Sequence, residues 1–366
     1  MFAKNFLLIL GLAFIGYIGL PHSAVAQPQP PDMVIDAATR ATVIENLIKE
    51  LNEGYVFPDV AKRLEADLRQ RQASNVFDSI TSAQMFVKKL TDDLQAISKD
   101  KHLRVRFSAQ PIPVRAERGQ PTAEEIQRQQ TMMKRANYGF NRIERLDGNI
   151  GYIQFDVFAD HEKGAETVAS AMGFLANTEA IIFDLRQNGG GNPFMVALIS
   201  SYLFGDKPVH LNSLYMRRND RTEDFWTKPE LARVRFPNKD IYILTANRTF
   251  SAAEEFTYNL KNLKRATIVG ETTGGGAHPG GTHRLHEHFS AFVPSGRAIN
   301  PISKTNWEGT GVEPDVKVPK EQALKTAYLL ALNKASANAT DPQVISGLKE
   351  LIELNQRELE QIKAKK

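Results

Sequence analysis

In this 366-residue chain, the residues whose types and spacing can do chemistry begin with a serine between a strand and a helix. Ile241-Tyr242-Ile243-Leu244-Thr245 is short, apolar and β-rich, as a buried strand would be. Ala252 to Leu263 reads as a helix, and Thr249-Phe250-Ser251-Ala252-Ala253-Glu254 joins the two. A hydroxyl at that junction is surrounded by the free N–H groups of a helix start. Upstream, a similar apolar strand, Ala180 to Leu185, ends in Arg186-Gln187-Asn188-Gly189-Gly190-Gly191. A glycine run after a strand brings backbone N–H groups to close range. Together these point to acyl transfer on serine.

Such a serine needs a base and a third group that orients the base. His102, in Asp100-Lys101-His102-Leu103-Arg104-Val105, stands where a helical region hands over to a short strand. There it can face a cleft, although pattern alone favours a surface polar residue. His161 and His210 sit alone in polar contexts. His278, His283, His286 and His288 fall in one segment. His286 and His288 would share a strand face, which suits a metal. No motif elsewhere completes that site, so solvated strand histidines are the expectation. For the acid, the loop Thr305 to Asp315 offers Glu308, Glu313 and Asp315, and composition does not choose among them.

The elements that must position these residues alternate. Ile150 to Phe155, Ala180 to Leu185 and Ile241 to Thr245 read as strands, with helices at 164–177, 194–203 and 252–263 between and after them. Continuous apolar strands alternating with helices argue for an α/β core. Thr282 to Val293 is strand-like. Residues 37–98 carry apolar side chains at helical spacing in three stretches, separated by Pro58 and by Ser/Thr/Asp caps. The expected organisation is therefore a leader at 27–36, a small helical domain at 37–108 and a linker or mobile arm at 109–146. An α/β core at 147–335 and a helical tail at 336–366 follow.

Lys4, the apolar run Phe6 to Leu20 and Ala24-Val25-Ala26 read as a signal peptide over 1–26. Export to a periplasm or the exterior is the expectation, with a membrane attachment only if that signal stays uncleaved. The absence of cysteine excludes disulfides, thiol catalysis and thiolate metal sites. A net charge of +4 is near balance and gives little support for nucleic-acid binding.

The stretches Asp184 to Gly191, Phe250 to Glu254 and Gly270-Glu271-Thr272-Thr273-Gly274-Gly275-Gly276 resemble the C-terminal processing (tail-specific) serine peptidases. With Glu53 to Pro58 and Asn300 to Asp315, they most resemble the branch of tricorn protease and interphotoreceptor retinoid-binding protein. The resemblance spans about residues 40–330. It implies a ClpP/crotonase-like core of β-β-α units, with Ser251 as nucleophile and oxyanion N–H groups at Gly190 and Ala252. One branch of the family uses a lysine downstream of the serine. Gly276 occupies that position here, and no lysine lies between Lys264 and Lys304. The other branch uses a histidine from before the core, which His102 matches, and its acidic partner resembles Glu308. Lys101 stands where tricorn has a serine, and a cation there would lower the pKa of His102. The region 110–145 is too short for the family's PDZ domain. The resemblance implies peptide or unfolded-protein substrates and no cofactor. Its rival is a binding module that holds a lipid, a retinoid-like ligand or a peptide on the same fold. A lipase-type α/β-hydrolase is weaker, because the G-x-S-x-G elbow is missing.

Overall fold

The two strands that lead into the glycine run and into Ser251 lie side by side, parallel, with Asp184 opposite Leu244. The computed structural model describes residues 31–114, 122–232 and 234–364. The expected signal peptide, residues 27–30 of the leader and residues 115–121 of the expected arm lie outside them. Asp32–Lys366 forms one compact unit.

The chain begins with three helices, α1 (Ala37–Gly54), α2 (Pro58–Ala73) and α3 (Ala83–Ser98), and a short strand, β1 (Arg104–Phe107). Then come α4 (Ala123–Arg135), β2 (Phe140–Leu146), β3 (Ile150–Phe155), α5 (His161–Phe174), β4 (Ala180–Asp184) and α6 (Pro193–Ser201). An antiparallel pair, β5 (His210–Met216) and β6 (Arg221–Trp226), precedes β7 (Asp240–Thr245), α7 (Ala252–Asn262) and β8 (Thr267–Gly270). The remaining elements are β9 (Gly280–His286), β10 (Phe289–Pro294), β11 (Gly296–Ile299), β12 (Val316–Lys317), α8 (Lys320–Asn338) and α9 (Pro342–Ala364).

The central sheet has the order β12-β8-β7-β4-β3-β2, with only β2 antiparallel to its neighbour. Side chains alternate across a strand, and here both faces are apolar. Ile181, Phe183, Ile241 and Ile243 face α5, α6 and α7, while Ile182, Tyr242 and Leu244 face α8 and α9. This is why these strands read as unbroken apolar runs. Two smaller sheets, β1-β10-β9 and β11-β5-β6, flank the core.

Two expected boundaries change. The three N-terminal helices do not close a core of their own. Their apolar faces share one cluster with Val105 of β1, Leu285 of β9 and Phe289, Ala291 and Val293 of β10. Residues 140–146 of the expected arm are strand β2, the edge of the central sheet. Thr282 to Val293 is a hairpin rather than one strand. Among the described residues no helix is long and apolar enough to cross a membrane.

Candidate active site

The site is built where β4, β7 and β8 end, at the edge where open parallel sheets place their loops together. Asp184, at the end of β4, is buried. It accepts from Tyr152 Oη at 2.7 Å and from Arg186 Nε at 2.9 Å, which fixes the turn into the glycine run. Asn188 Nδ2 then donates to Phe155 O at 2.9 Å, and Asn188 O accepts from Phe250 N–H at 3.1 Å. Thr249 Oγ1 donates to Leu185 O at 2.8 Å, so the loops before the glycines and before the serine are tied directly together.

Ser251 is the N-cap of α7 with φ 55° and ψ −122°. A positive φ is uncommon for a residue with a Cβ, and this conformation stores about 1–3 kcal/mol. The strain is held by Glu254, which is fully buried. Its Oε2 accepts from Ser251 N–H at 2.9 Å and Gly276 N–H at 2.8 Å. Its Oε1 accepts from Gly275 N–H at 2.6 Å and Thr273 Oγ1 at 2.5 Å. One carboxylate thus fastens Ser251 to the 273–276 loop. Burial pushes Glu254 up to about 7, against the pull of these four donors.

Gly190 has φ 103° and runs against the serine. A Cβ on it would stand 2.7 Å from Ser251 Cβ and 2.9 Å from Ala252 N, so only glycine allows this approach. The structure corrects one detail of the expected oxyanion pair. Gly190 N–H is already donated to Asn188 Oδ1 at 2.9 Å. Ala252 N–H and Gly191 N–H make no protein hydrogen bond among the described residues. At Ala252 this follows from its place in the first turn, where N–H groups have no partner within the helix.

His102 comes from the opposite side, just before β1. Its ring centroid is 4.5 Å from that of Phe250, the residue preceding Ser251, and 5.7 Å from that of Phe292. Gly276 makes room for it, since a Cβ there would lie 2.6 Å from His102 Cε1. Burial lowers His102 to about 4; Asp100 opposes this, and Arg104 and His278 add to it. Lys101, expected to be the perturbing cation, instead donates Nζ to Gly274 O at 2.5 Å. Ser251 Oγ and the His102 ring share no hydrogen bond, and buried His102 Nδ1 has no partner. Catalytic hydrogen bonds in substrate-free sites are often long and tighten on binding.

The expected Glu308–His102 contact is not made. The 305–311 loop is bonded along residues 275–277, through Trp307 Nε1–H to Gly276 O at 2.7 Å and Gly309 N–H to Gly275 O at 3.1 Å. That segment captures the carboxylate, as Ala277 N–H donates to Glu308 Oε2 at 2.5 Å. Burial, and then the charge of Asp100, push Glu308 up to about 7. The acid nearest His102 is Asp100, whose Oδ1 accepts from His102 N–H at 2.9 Å. The pairing of Asp100 with His278 was not expected from the sequence, because it joins segments far apart in the chain.

A groove of about 830 Å³ reaches this region, lined by Ile126, Met133 and Lys134 of α4, by 157–160 and by 191–194. It touches the glycine run at Gly191, and neither Ser251 nor His102 lines it.

Residues 149–318 match the model for peptidase family S41, and residues 37–138 match one described as the N-terminal domain of that peptidase in eukaryotic IRBP. A putative peptidase from Parabacteroides merdae is similar over 82% of this chain and 99% of its own, at 19% identity and a TM-score of 0.56. Tricorn protease is similar over 87% of this chain and 37% of its own, at 15% identity and a TM-score of 0.49. The photosystem II D1 C-terminal processing protease is similar over 78% of this chain and 94% of its own, at 13% identity and a TM-score of 0.47.

Proposed function

The chain belongs to peptidase family S41, and on that premise we propose that it is an exported serine peptidase cutting peptides or unfolded proteins. Ser251 Oγ attacks the scissile carbonyl carbon and passes its proton to His102. The carbonyl oxygen becomes an oxyanion, met by the N–H groups of Ala252 and Gly191. Losing one such donor costs about 3–4 kcal/mol of transition-state stabilisation in comparable enzymes. His102 returns the proton to the leaving amine as the C–N bond breaks, and water resolves the acyl-enzyme by the same route in reverse.

Asp100 is the acid that favours the His102 imidazolium, through its charge and its grip on the His102 backbone. Glu308 acts at one remove, by holding the 275–277 segment on which His102 rests. The substrate lies in the groove beside α4, with its scissile bond at the glycine run. Export rests on the amino-terminal signal pattern alone.

The observation that carries this reading is Ser251, held in a strained N-cap beside an unpartnered Ala252 N–H and against Gly190. A site kept only for ligand binding has no use for that strain. A fluorophosphonate probe tests it. Labelling of the wild type that disappears in both Ser251→Ala and His102→Ala is expected. A folded wild type that takes no label would point to the binding-module reading.

A further inference from the structure

Behind His102, Asp100 and Glu308 also belong to a cluster with His278. Asp100, His278 and Glu308 bring one ligand atom each within 4.8 Å of one another. His278 Nδ1 is 2.8 Å from Asp100 Oδ2 and 3.4 Å from Glu308 Oε2. We propose that these three side chains form a binding site for one divalent transition-metal ion of the zinc class, which braces the loops around the active site. The proposal concerns structure, and the chemistry on Ser251 needs no metal.

Four observations carry it. The donor set is one imidazole nitrogen and two carboxylates, which suits zinc or manganese better than calcium, a cation that takes six to eight oxygens. The formal charges fit as well, since the carboxylates of buried Asp100 and half-buried Glu308, with an imidazole ligand, match a doubly charged ion.

The third observation is Glu308 Oε1, a buried acceptor with no hydrogen-bond partner. It is free to complete the coordination beside Oε2. The fourth is the surroundings. Tyr55 Oη donates to Asp100 Oδ2 at 3.3 Å, and the Phe57 ring packs edge-on against the His278 ring at 5.3 Å. These groups orient two ligands from outside, as the outer partners of metal sites do.

The three ligands come from the α3–β1 junction, the loop before β9 and the loop before β12. Only the finished fold brings them together, so an ion there would tie those three segments to one another. Asp100 Oδ1 would still hold His102 N–H, and Glu308 would still hold Ala277 N–H.

The test uses the tag-free full chain, stripped with a chelator and titrated with zinc by calorimetry, with thermal melts in parallel. Bound zinc near one ion per chain and a melting temperature raised by several degrees are expected, because a ligand specific to the folded state stabilises it. His278→Asn and Glu308→Gln should each weaken binding at least about 100-fold, beyond the 10–100-fold typical of outer partners. Ser251→Ala should bind zinc like the wild type, which keeps this test independent of the peptidase reading. Should folded His278→Asn and Glu308→Gln bind zinc as the wild type does, or the wild type bind none at micromolar zinc, the metal site is wrong. The cluster is then a histidine clamped between two acids.

Discussion

Replacing Ser251 by glycine should make the protein more stable than replacing it by alanine. Alanine keeps the Cβ that makes φ 55° and ψ −122° costly, and glycine removes it. The strain relieved is about 1–3 kcal/mol. Against it stands the greater freedom of glycine in the unfolded chain, about 0.4–1 kcal/mol. Glycine is also the better N-cap of the two. The net expectation is that Ser251→Gly exceeds Ser251→Ala by about 1–2 kcal/mol. Both variants lack the nucleophile, so self-cleavage cannot distort the comparison. Equilibrium urea unfolding with matched slopes measures the difference, and the Glu254 bond to the backbone N–H of residue 251 is available in both. If Ser251→Gly proves equal to or weaker than Ser251→Ala, the junction is not strained, and the argument that the strain marks a catalytic position fails with it.

Burial holds His102 near 4, so its imidazole stays neutral well below the ordinary histidine range, and as the proposed base it stays competent there. The acid limb of kcat/KM should therefore fall near pH 4, and full turnover should persist at pH 5.5; a limb near 6.5 would refute this. The same shift makes stability fall as pH drops from about 6.5 towards 4, because the unfolded chain takes up a proton that the folded one refuses. Gly190→Ala places a Cβ against Ser251 and the backbone of Phe250 and Ala252 at φ 103°, and should abolish activity with a clear loss of thermal stability. Gly276→Ala has the His102 and Phe250 rings as its nearest neighbours, so activity should fall at least tenfold for a cost of about 1–3 kcal/mol, read by kinetics and melts together. Glu254→Gln turns one acceptor oxygen into a donor facing two N–H or O–H groups, and should cost about 2–4 kcal/mol in urea unfolding.

The strands that carry the site were legible because both faces are buried, so β3, β4 and β7 are apolar along their length. Ser251 and the glycine run followed from those strands. Strand β2 was hidden by a bulge between Phe140 and Arg142, which breaks the two-residue alternation, and so its residues read as part of an arm. Strand β6, Arg221–Trp226, is exposed at all but one position and offers no apolar signal. His102 was found by family likeness rather than by pattern. The Asp100–His278 pair could not be found either way, because it joins positions 178 residues apart through tertiary packing alone. Glu308 was picked out by the same likeness, but its partner depends on which backbone N–H the 305–311 loop meets, and that is Ala277.

The shared core of the N-terminal helices and the β9–β10 hairpin sets an order of events during synthesis. Helices α1 to α3 leave the ribosome with apolar faces whose cover, Leu285 to Val293, emerges much later. Until then this part of the chain is unfinished and in need of protection. His102 sits at the edge of the same interface, while Ser251 lies in the core between. On the proposed assignment, His102 comes to Ser251 only after the hairpin has docked on the helices. On that assignment, a half-made or half-unfolded chain would lack hydrolytic capacity until this long-range contact has closed.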